Sequence, residues 1–367
     1  MNIDVIVNPL SSSQSGIHKC ERYINTHFKK HSNIRIIPVN KYQKPGFISR
    51  YMNLFKKSLF YNMIQRDQRT SARVIYFSDQ QLSFLLNFID FKGIVVTMVY
   101  DIFPDTEFYR DKLSLFERLR YSFVIKAVKS SNLILTVSEM MKSELIKKYT
   151  INEKKIKVVR LGIDHDLYRH IDTQNLRSEL GIDPDEKIIL SVSSEEPRKN
   201  FENVLRAFKS LKDRYGKCRL IKIGRSAWRG ARKKYLSIIK ELDISGSVIF
   251  KEGVTEEEMP EYYCLCDIFL AIPLYEGGWA NPVAEAMACG SPVIVSHELR
   301  ELAENSGVMV DPNNYLDISN KMYDILTDKR KTDYMRNKSL EEAKKYSWEN
   351  TANGIIKEIN EYFVKMV

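Results

Sequence analysis

Residues 266–296, CDIFLAIPLYEGGWANPVAEAMACGSPVIVS, decide how the chain folds. Asp267–Ile272 is a short, mostly apolar run, the pattern of a strand covered on both faces. The loop 273–280 brings two glycines and one carboxylate. Asn281 reads as an N-cap, with Pro282 at the first helical position. Gly290 suits the left-handed position just past the helix, and Pro292 stops the helix from continuing. Pro292–Ser296 then opens a second strand, so the unit is strand, loop, helix, strand.

This unit has the physics of a ligand site. Backbone N–H groups gather at the start of the helix and carry about half a positive charge. Gly277 and Gly278 allow the backbone to approach a ligand closely. The place suits an anion such as a phosphate. Glu276 and Glu285 bracket it, and a carboxylate is a poor phosphate ligand but a good acceptor for sugar hydroxyls. The combination suits a molecule with both groups, a nucleotide sugar. Taken locally, the same residues also describe an ordinary βα turn with an acidic rim.

Working outward, strands and helices alternate. In the second half the strands are Lys187–Val192, Arg219–Ile223, Ser247–Lys251, Asp267–Ile272, Pro292–Ser296 and Gly307–Val310. Helices over Phe201–Tyr215, Gly230–Leu242, Glu256–Cys264, Pro282–Cys289, Tyr315–Thr327 and Lys331–Tyr346 separate or follow them. This βαβα order predicts a parallel sheet with helices on both faces. Ligands then bind outside the carboxyl ends of the strands. The first of these strands ends in SVSSEEPRKN, which places Arg198 and Lys199 at that edge.

The first half repeats the pattern, with strands at Asn2–Val7, Asn33–Pro38, Arg73–Phe77, Gly93–Val99, Asn132–Val137 and Lys155–Arg160. Ile17–Lys30, Phe47–Gln65, Leu113–Lys129 and Met140–Tyr149 read as helices, the last capped by Ser138. Asp101 follows a strand, where a capping role is also open to it.

At 367 residues the chain exceeds one ordinary core, and two domains are expected. Its 44% hydrophobic and 28% charged residues are those of a soluble globular protein. No apolar run approaches the roughly 18 residues that span a bilayer. The start, MNIDVIVNPL, is a strand with an acid in it rather than a signal peptide. The five cysteines are scattered, and Cys264 and Cys266 are too close and too isolated for a zinc site. A reducing cytoplasm is the simplest setting.

The formal charge of +10 suits anionic donors, anionic lipid or nucleic acid. Residues 41–70 hold seven Lys or Arg against the single acid Asp67. The helix within this segment has an apolar stripe and a basic face. It is either a peripheral membrane contact or a sheet-covering helix with a solvated basic side. No aromatic stacking motif or basic recognition helix supports nucleic acid as a partner.

YEGGWANPVAEAMACGSPVI resembles the donor-binding signature of glycosyltransferase family 4, the retaining glycosyl transferases group 1 with the GT-B fold. That signature has seven residues between its two glutamates, whereas eight separate Glu276 from Glu285 here, the extra one falling at Gly277–Gly278. SVSSEEPRKN resembles the family's G-S-x-E-P-R-K-N, with Ser193 where a glycine is common. Gly16 with the pair Arg22–Tyr23, the run VTMVYDIFPD, the run TVSE, and Gly162 with Asp164 resemble motifs of the first domain and the linker. In VTMVYDIFPD, Tyr100 stands where relatives carry a histidine. Gly224, Gly253–Val254, Glu301, Asp311–Pro312 and the final YSWENTANGIIKEINEYF follow the pattern in the second half. The D-x-D form of Asp164–Asp166 reads as part of the linker rather than as a metal motif.

The resemblance implies two Rossmann-like domains whose parallel sheets face a central cleft. It assigns residues 1–164, with the helix 348–367 packed back, to the acceptor side, and residues 165–347 to the nucleotide sugar. Arg198 and Lys199 would stabilise the leaving diphosphate, Glu276 would orient the sugar, and Glu285 would hold the ribose. Gly16, Ser193, Gly224, Gly253, Val254, Gly277, Gly278, Trp279 and Ala280 would line the donor, with Tyr100 and Asp101 on the acceptor side and Asp101 also counted as catalytic. The implied reaction moves a sugar to a hydroxyl of a glycan, a lipid-linked saccharide or a polysaccharide precursor, with no metal or other cofactor required. A catalytically weak nucleotide-sugar binder acting as a partner subunit is the alternative, prompted by Tyr100 and the lengthened glutamate loop.

Overall fold

The computed structural model describes residues 2–7, 16–38, 74–88, 91–226, 228 and 230–366, without the side chain of residue 174. The helix expected over 47–65 and the basic segment 41–70 lie outside the described residues. The chain divides into two compact units, one of residues 1–162 with 348–367, the other of residues 163–347.

The first unit contains strands β1 (Ile3–Val7), β2 (Ile34–Pro38), β3 (Val74–Phe77), β4 (Ile94–Val99), β5 (Leu133–Thr136) and β6 (Ile156–Val158). They form one parallel sheet in the order β2-β1-β3-β4-β5-β6. Its helices are α1 (Gly16–Phe28), α2 (Leu115–Ser130) and α3 (Glu139–Tyr149). Ser138 caps α3 by accepting from the Met141 N–H at 2.9 Å. Asp4, the acid in the first strand, is buried and lies opposite Arg35 in the register. The guanidinium meets it with two bonds of 2.9 Å, which compensates the buried charge.

The second unit contains α4 (Gln174–Glu179), β7 (Lys187–Val192), α5 (Phe201–Tyr215), β8 (Cys218–Ile223), α6 (Ala231–Glu241), β9 (Val248–Lys251), α7 (Met259–Leu265) and β10 (Ile268–Ala271). It continues with α8 (Asn281–Ala288), β11 (Val293–Ser296), α9 (Arg300–Ala303), β12 (Val308–Val310), α10 (Tyr315–Thr327) and α11 (Lys329–Ala343). The short α4 and α9 carry too few turns for a readable period and were not expected from the sequence. The parallel sheet runs β12-β11-β10-β7-β8-β9. Buried Phe201, Phe208, Leu220, Ile268, Leu270 and Ile294 lie in its core. The strands read as near-continuous apolar runs because both faces are covered.

The last helix, α12 (Trp348–Met366), leaves the second unit and packs on α1 of the first. The Trp348 ring stacks on Tyr23 with centroids 5.1 Å apart and planes 1° apart. Asp164 serves the turn at the start of the second unit, where its Oδ1 accepts from the N–H groups of Asp166 at 3.1 Å and Leu167 at 3.2 Å. His165 Nε2 lies 2.8 Å from the Tyr346 carbonyl oxygen.

Candidate active site

The strand order of the second unit creates a switch point. From β7 the chain winds outward through β8 and β9, and then returns to place β10 against the other side of β7. The loops after β7 and β10 therefore leave the same sheet edge in opposite directions, which opens a crevice at their carboxyl ends. Arg198 and Lys199 belong to one of these loops and Glu276 to the other.

The three side chains meet there. Arg198 Nη1 donates to Glu276 Oε2 at 2.9 Å, and Lys199 Nζ donates to Glu276 Oε1 at 2.6 Å. The loops are also joined through the backbone, as the Leu274 N–H donates to the Arg198 carbonyl at 2.7 Å. Arg198 is aimed by Glu196, which accepts from its Nε at 3.0 Å, and by the Tyr275 carbonyl at 3.2 Å from Nη1. The side chains of Arg198, Lys199 and Glu276 keep 13%, 16% and 12% of their exposure, so the cluster is sheltered but reachable. Burial pulls the Lys199 ammonium below its ordinary range, and the neighbouring Arg198 adds to this, while Glu276 opposes both.

The extra residue in the glutamate loop is absorbed locally. Gly277 and Gly278 take φ of 72° and 85°, left-handed values that side-chain-bearing residues rarely adopt. Glu276 keeps its reach to both cations, and its own N–H donates to Glu298 Oε2 at 3.0 Å. Asn281 is inside α8 rather than capping it; the cap is Ala280, with no side-chain bond. The Asn281 side-chain amide oxygen Oδ1 accepts instead from Trp279 Nε1 at 2.8 Å. Trp279 is buried, edge-on to Tyr346 with centroids 5.1 Å apart, so its ring serves packing within this unit.

The remaining expected donor residues divide between the edge and the interior. Ser193, Gly224 and Gly253–Val254 follow β7, β8 and β9 at the carboxyl edge. Glu285 is buried on α8, and its Oε2 accepts from the Tyr263 hydroxyl at 2.8 Å. In the first unit, Gly16 begins α1, and Tyr100 and Asp101 follow β4. Gln80 ties them in place by accepting from the Tyr100 N–H at 3.2 Å and donating to the Asp101 carbonyl at 3.1 Å. The Tyr100 side chain is turned inward and is 7% exposed. Burial pushes its hydroxyl well above the ordinary value, with Cys20, Tyr76 and Glu21 adding to the effect.

Residues that were given no role in the sequence also build the site. Asn200 holds φ of 61° and is buried, and its side-chain N–H groups donate to the carbonyls of Ile272 at 3.2 Å and Pro312 at 2.7 Å. It thereby fixes the β7 loop against the end of β10. Glu298 had no sequence signal. Lys222, a lysine inside the apolar run RLIKI, did have one.

A crevice at a switch point, with paired cations on one loop and a carboxylate on the other, is where open α/β sheets bind their ligands. The description "Glycosyl transferases group 1" matches residues 172–345, and "Glycosyltransferase Family 4" matches residues 30–167. Residues 172–345 thus match the group 1 glycosyltransferases, and the chain has the GT-B fold.

It is 28% identical over 246 residues to O-antigen chain mannosyltransferase B of Escherichia coli, which is 64% of this chain and 62% of that protein. It is 25% identical over 221 residues to D-inositol 3-phosphate glycosyltransferase of Rhodococcus opacus, 58% of this chain and 49% of that protein. The aligned stretches thus span less than two thirds of either relative. Among solved structures, Anabaena HepE in complex with UDP-glucose superposes with a TM-score of 0.80 at 17% identity, covering 98% of this chain and 100% of that one. Sucrose-phosphate synthase from Thermosynechococcus elongatus gives 0.79 at 16% identity, covering 99% of each. Both likenesses concern the fold. Among the described residues, no helix is long and apolar enough to cross a membrane.

Proposed function

We propose that this protein transfers a sugar from a nucleotide diphosphate sugar to an acceptor hydroxyl, with retention of configuration at the anomeric carbon. The acceptor is a glycan, a lipid-linked saccharide or a polysaccharide precursor. The observation that carries the reading is the convergence of Arg198 and Lys199 on one carboxylate at the switch point of the second unit. As the bond from the sugar to the diphosphate breaks, negative charge grows on the departing oxygens. Cations fixed in advance favour that state over the ground state.

In the free protein the Glu276 carboxylate neutralises both cations. A donor diphosphate takes over that part, and Glu276 turns to the sugar hydroxyls. Arg198 and Lys199 supply the charge that a divalent ion supplies in other transferases, so transfer proceeds in EDTA. Asp101 is assigned to the acceptor and Glu285 to the ribose.

The test is a thermal-shift screen with UDP, GDP and ADP sugars, followed by nucleotide release with an acceptor in EDTA. One donor class raises the melting temperature, since a ligand at 100 times its Kd adds about 2.7 kcal/mol. NMR of the product reports the anomeric configuration. No shift with any nucleotide sugar, or an inverted product, contradicts the reading.

A further inference from the structure

Beneath the loop 193–199 lies a charged side chain that the donor site, as described, does not use. Lys222 is on β8, between Ile221 and Ile223, and is fully buried. A buried ammonium is costly unless its donors are met. Three oxygens meet them: the Ser193 carbonyl, the Ser193 hydroxyl at 3.1 Å and the Ile223 carbonyl at 3.0 Å. The Phe201 ring at the start of α5 has its centroid 5.3 Å from Nζ.

The charged groups that face Lys222 come from two elements. Glu195 and Lys199 come from the β7 loop and Arg232 from α6. Glu195 is itself fully buried; its Oε1 accepts from Arg232 Nε at 2.7 Å, and its Oε2 has no hydrogen-bond partner among the described residues. Arg232 passes on to Glu252 at 2.7 Å. The carboxylate nearest the lysine is therefore shared with a second cation.

Two of the three oxygens that meet Lys222 belong to Ser193, at the start of the loop. The Ser193 N–H donates to the Ile223 carbonyl at 3.0 Å and the Glu195 N–H to the Arg225 carbonyl at 3.1 Å. Lys222 adds the grip on Ser193 from below. A methionine would fill the same space in an apolar strand, so packing does not call for a lysine.

We propose that Lys222 is a positioning residue for the donor diphosphate: it pins the loop that presents Arg198 and Lys199, and it sets a third positive charge behind that loop, shielded from water. The proposal rests on the nucleotide-sugar reading above. Burial draws the Lys222 ammonium down to about 7; Glu195 opposes this, and Lys199 and Arg232 add to it. The charge is present below that pH and lost above it.

The test is calorimetric titration of wild type and Lys222→Met with UDP-glucose and GDP-mannose from pH 6 to pH 8.5. A nucleotide sugar carries a diphosphate diester whose charge is constant over this range. Wild-type affinity is expected to fall about ten-fold as pH rises, the scale of one sheltered charge at this range. Lys222→Met is expected to bind about ten-fold more weakly at pH 6 and to show no slope. Wild-type affinity constant with pH, or a variant that binds as wild type at pH 6, overturns the proposal.

A wild type that binds neither probe counts against the nucleotide-sugar reading itself. A second measurement needs no ligand. With a folded value of about 7 against an ordinary 10.5, the unfolded chain takes up the proton first as pH falls. Unfolding free energy therefore declines between about pH 10.5 and 7 in wild type. Lys222→Met loses that decline, and a variant that keeps it overturns the buried-charge assignment.

Discussion

The Glu276 carboxylate faces two cations at hydrogen-bond distance, and this arrangement divides the work among the three residues. Arg198 is held by Glu196 and the Tyr275 carbonyl as well, so its guanidinium is fixed in orientation. Lys199 donates to the same carboxylate, and burial makes its ammonium less willing to stay protonated. Lys199→Ala is expected to reduce transfer on the order of 100-fold or more, the cost of one electrostatic donor at a developing anion. The melting curve should remain close to wild type, because the side chain fills no core position. Nucleotide release measured alongside thermal unfolding checks this, and undiminished release removes Lys199 from the site. The stretches that hold these two residues and Glu276 could be singled out in the sequence because each is contiguous in the chain. Lys222 and Glu298 were harder to read, because their roles depend on what the fold packs against them.

At the scale of elements, the site depends on how closely β7 and β8 end together. Gly224 follows β8 with φ of 133°, and a Cβ built there would lie 2.0 Å from the Ser193 carbonyl oxygen. Neither the dihedral nor the contact tolerates a side chain. Gly224→Ala is expected to cost about 3 kcal/mol or more of unfolding free energy, as overpacking and backbone strain combine. Because Ser193 must move aside, nucleotide-sugar affinity should fall with it. Denaturant unfolding and calorimetry on the same preparation test both effects; a variant as stable as wild type would show that the strand ends can part freely. The paired glycines 277 and 278 act in the opposite sense, bending the longer loop so that Glu276 keeps its place.

For the whole chain, the consequential feature is that the first unit is discontinuous. Its core takes in Trp348, Ile355 and Ile359 of α12, all buried, although they follow the entire second unit in sequence. Ending the chain at Ser347 is expected to lower the melting transition of the first unit by about 10 °C or more, given the several kcal/mol that one buried tryptophan alone supplies. The second unit, with its own sheet and core, should keep its transition, and residues 163–347 expressed alone should fold. Calorimetry resolves the two transitions; a truncated chain that unfolds as the full one does would contradict the assignment of α12.

The sequence by itself determined where the strands and most of the longer helices of the described residues lie, since apolar periodicity and the glycine and proline boundaries are properties of neighbouring residues. It also placed Arg198, Lys199 and Glu276 in loops that follow strands. Only the tertiary structure decided that β10 lies against β7, bringing Glu276 to residues more than seventy positions earlier in the chain. Only it turned Tyr100 and Trp279 inward and buried Lys222 under the loop. Strand order and burial follow from how whole faces pack against one another, and that pairing is a property of segments far apart in the chain rather than of any single stretch.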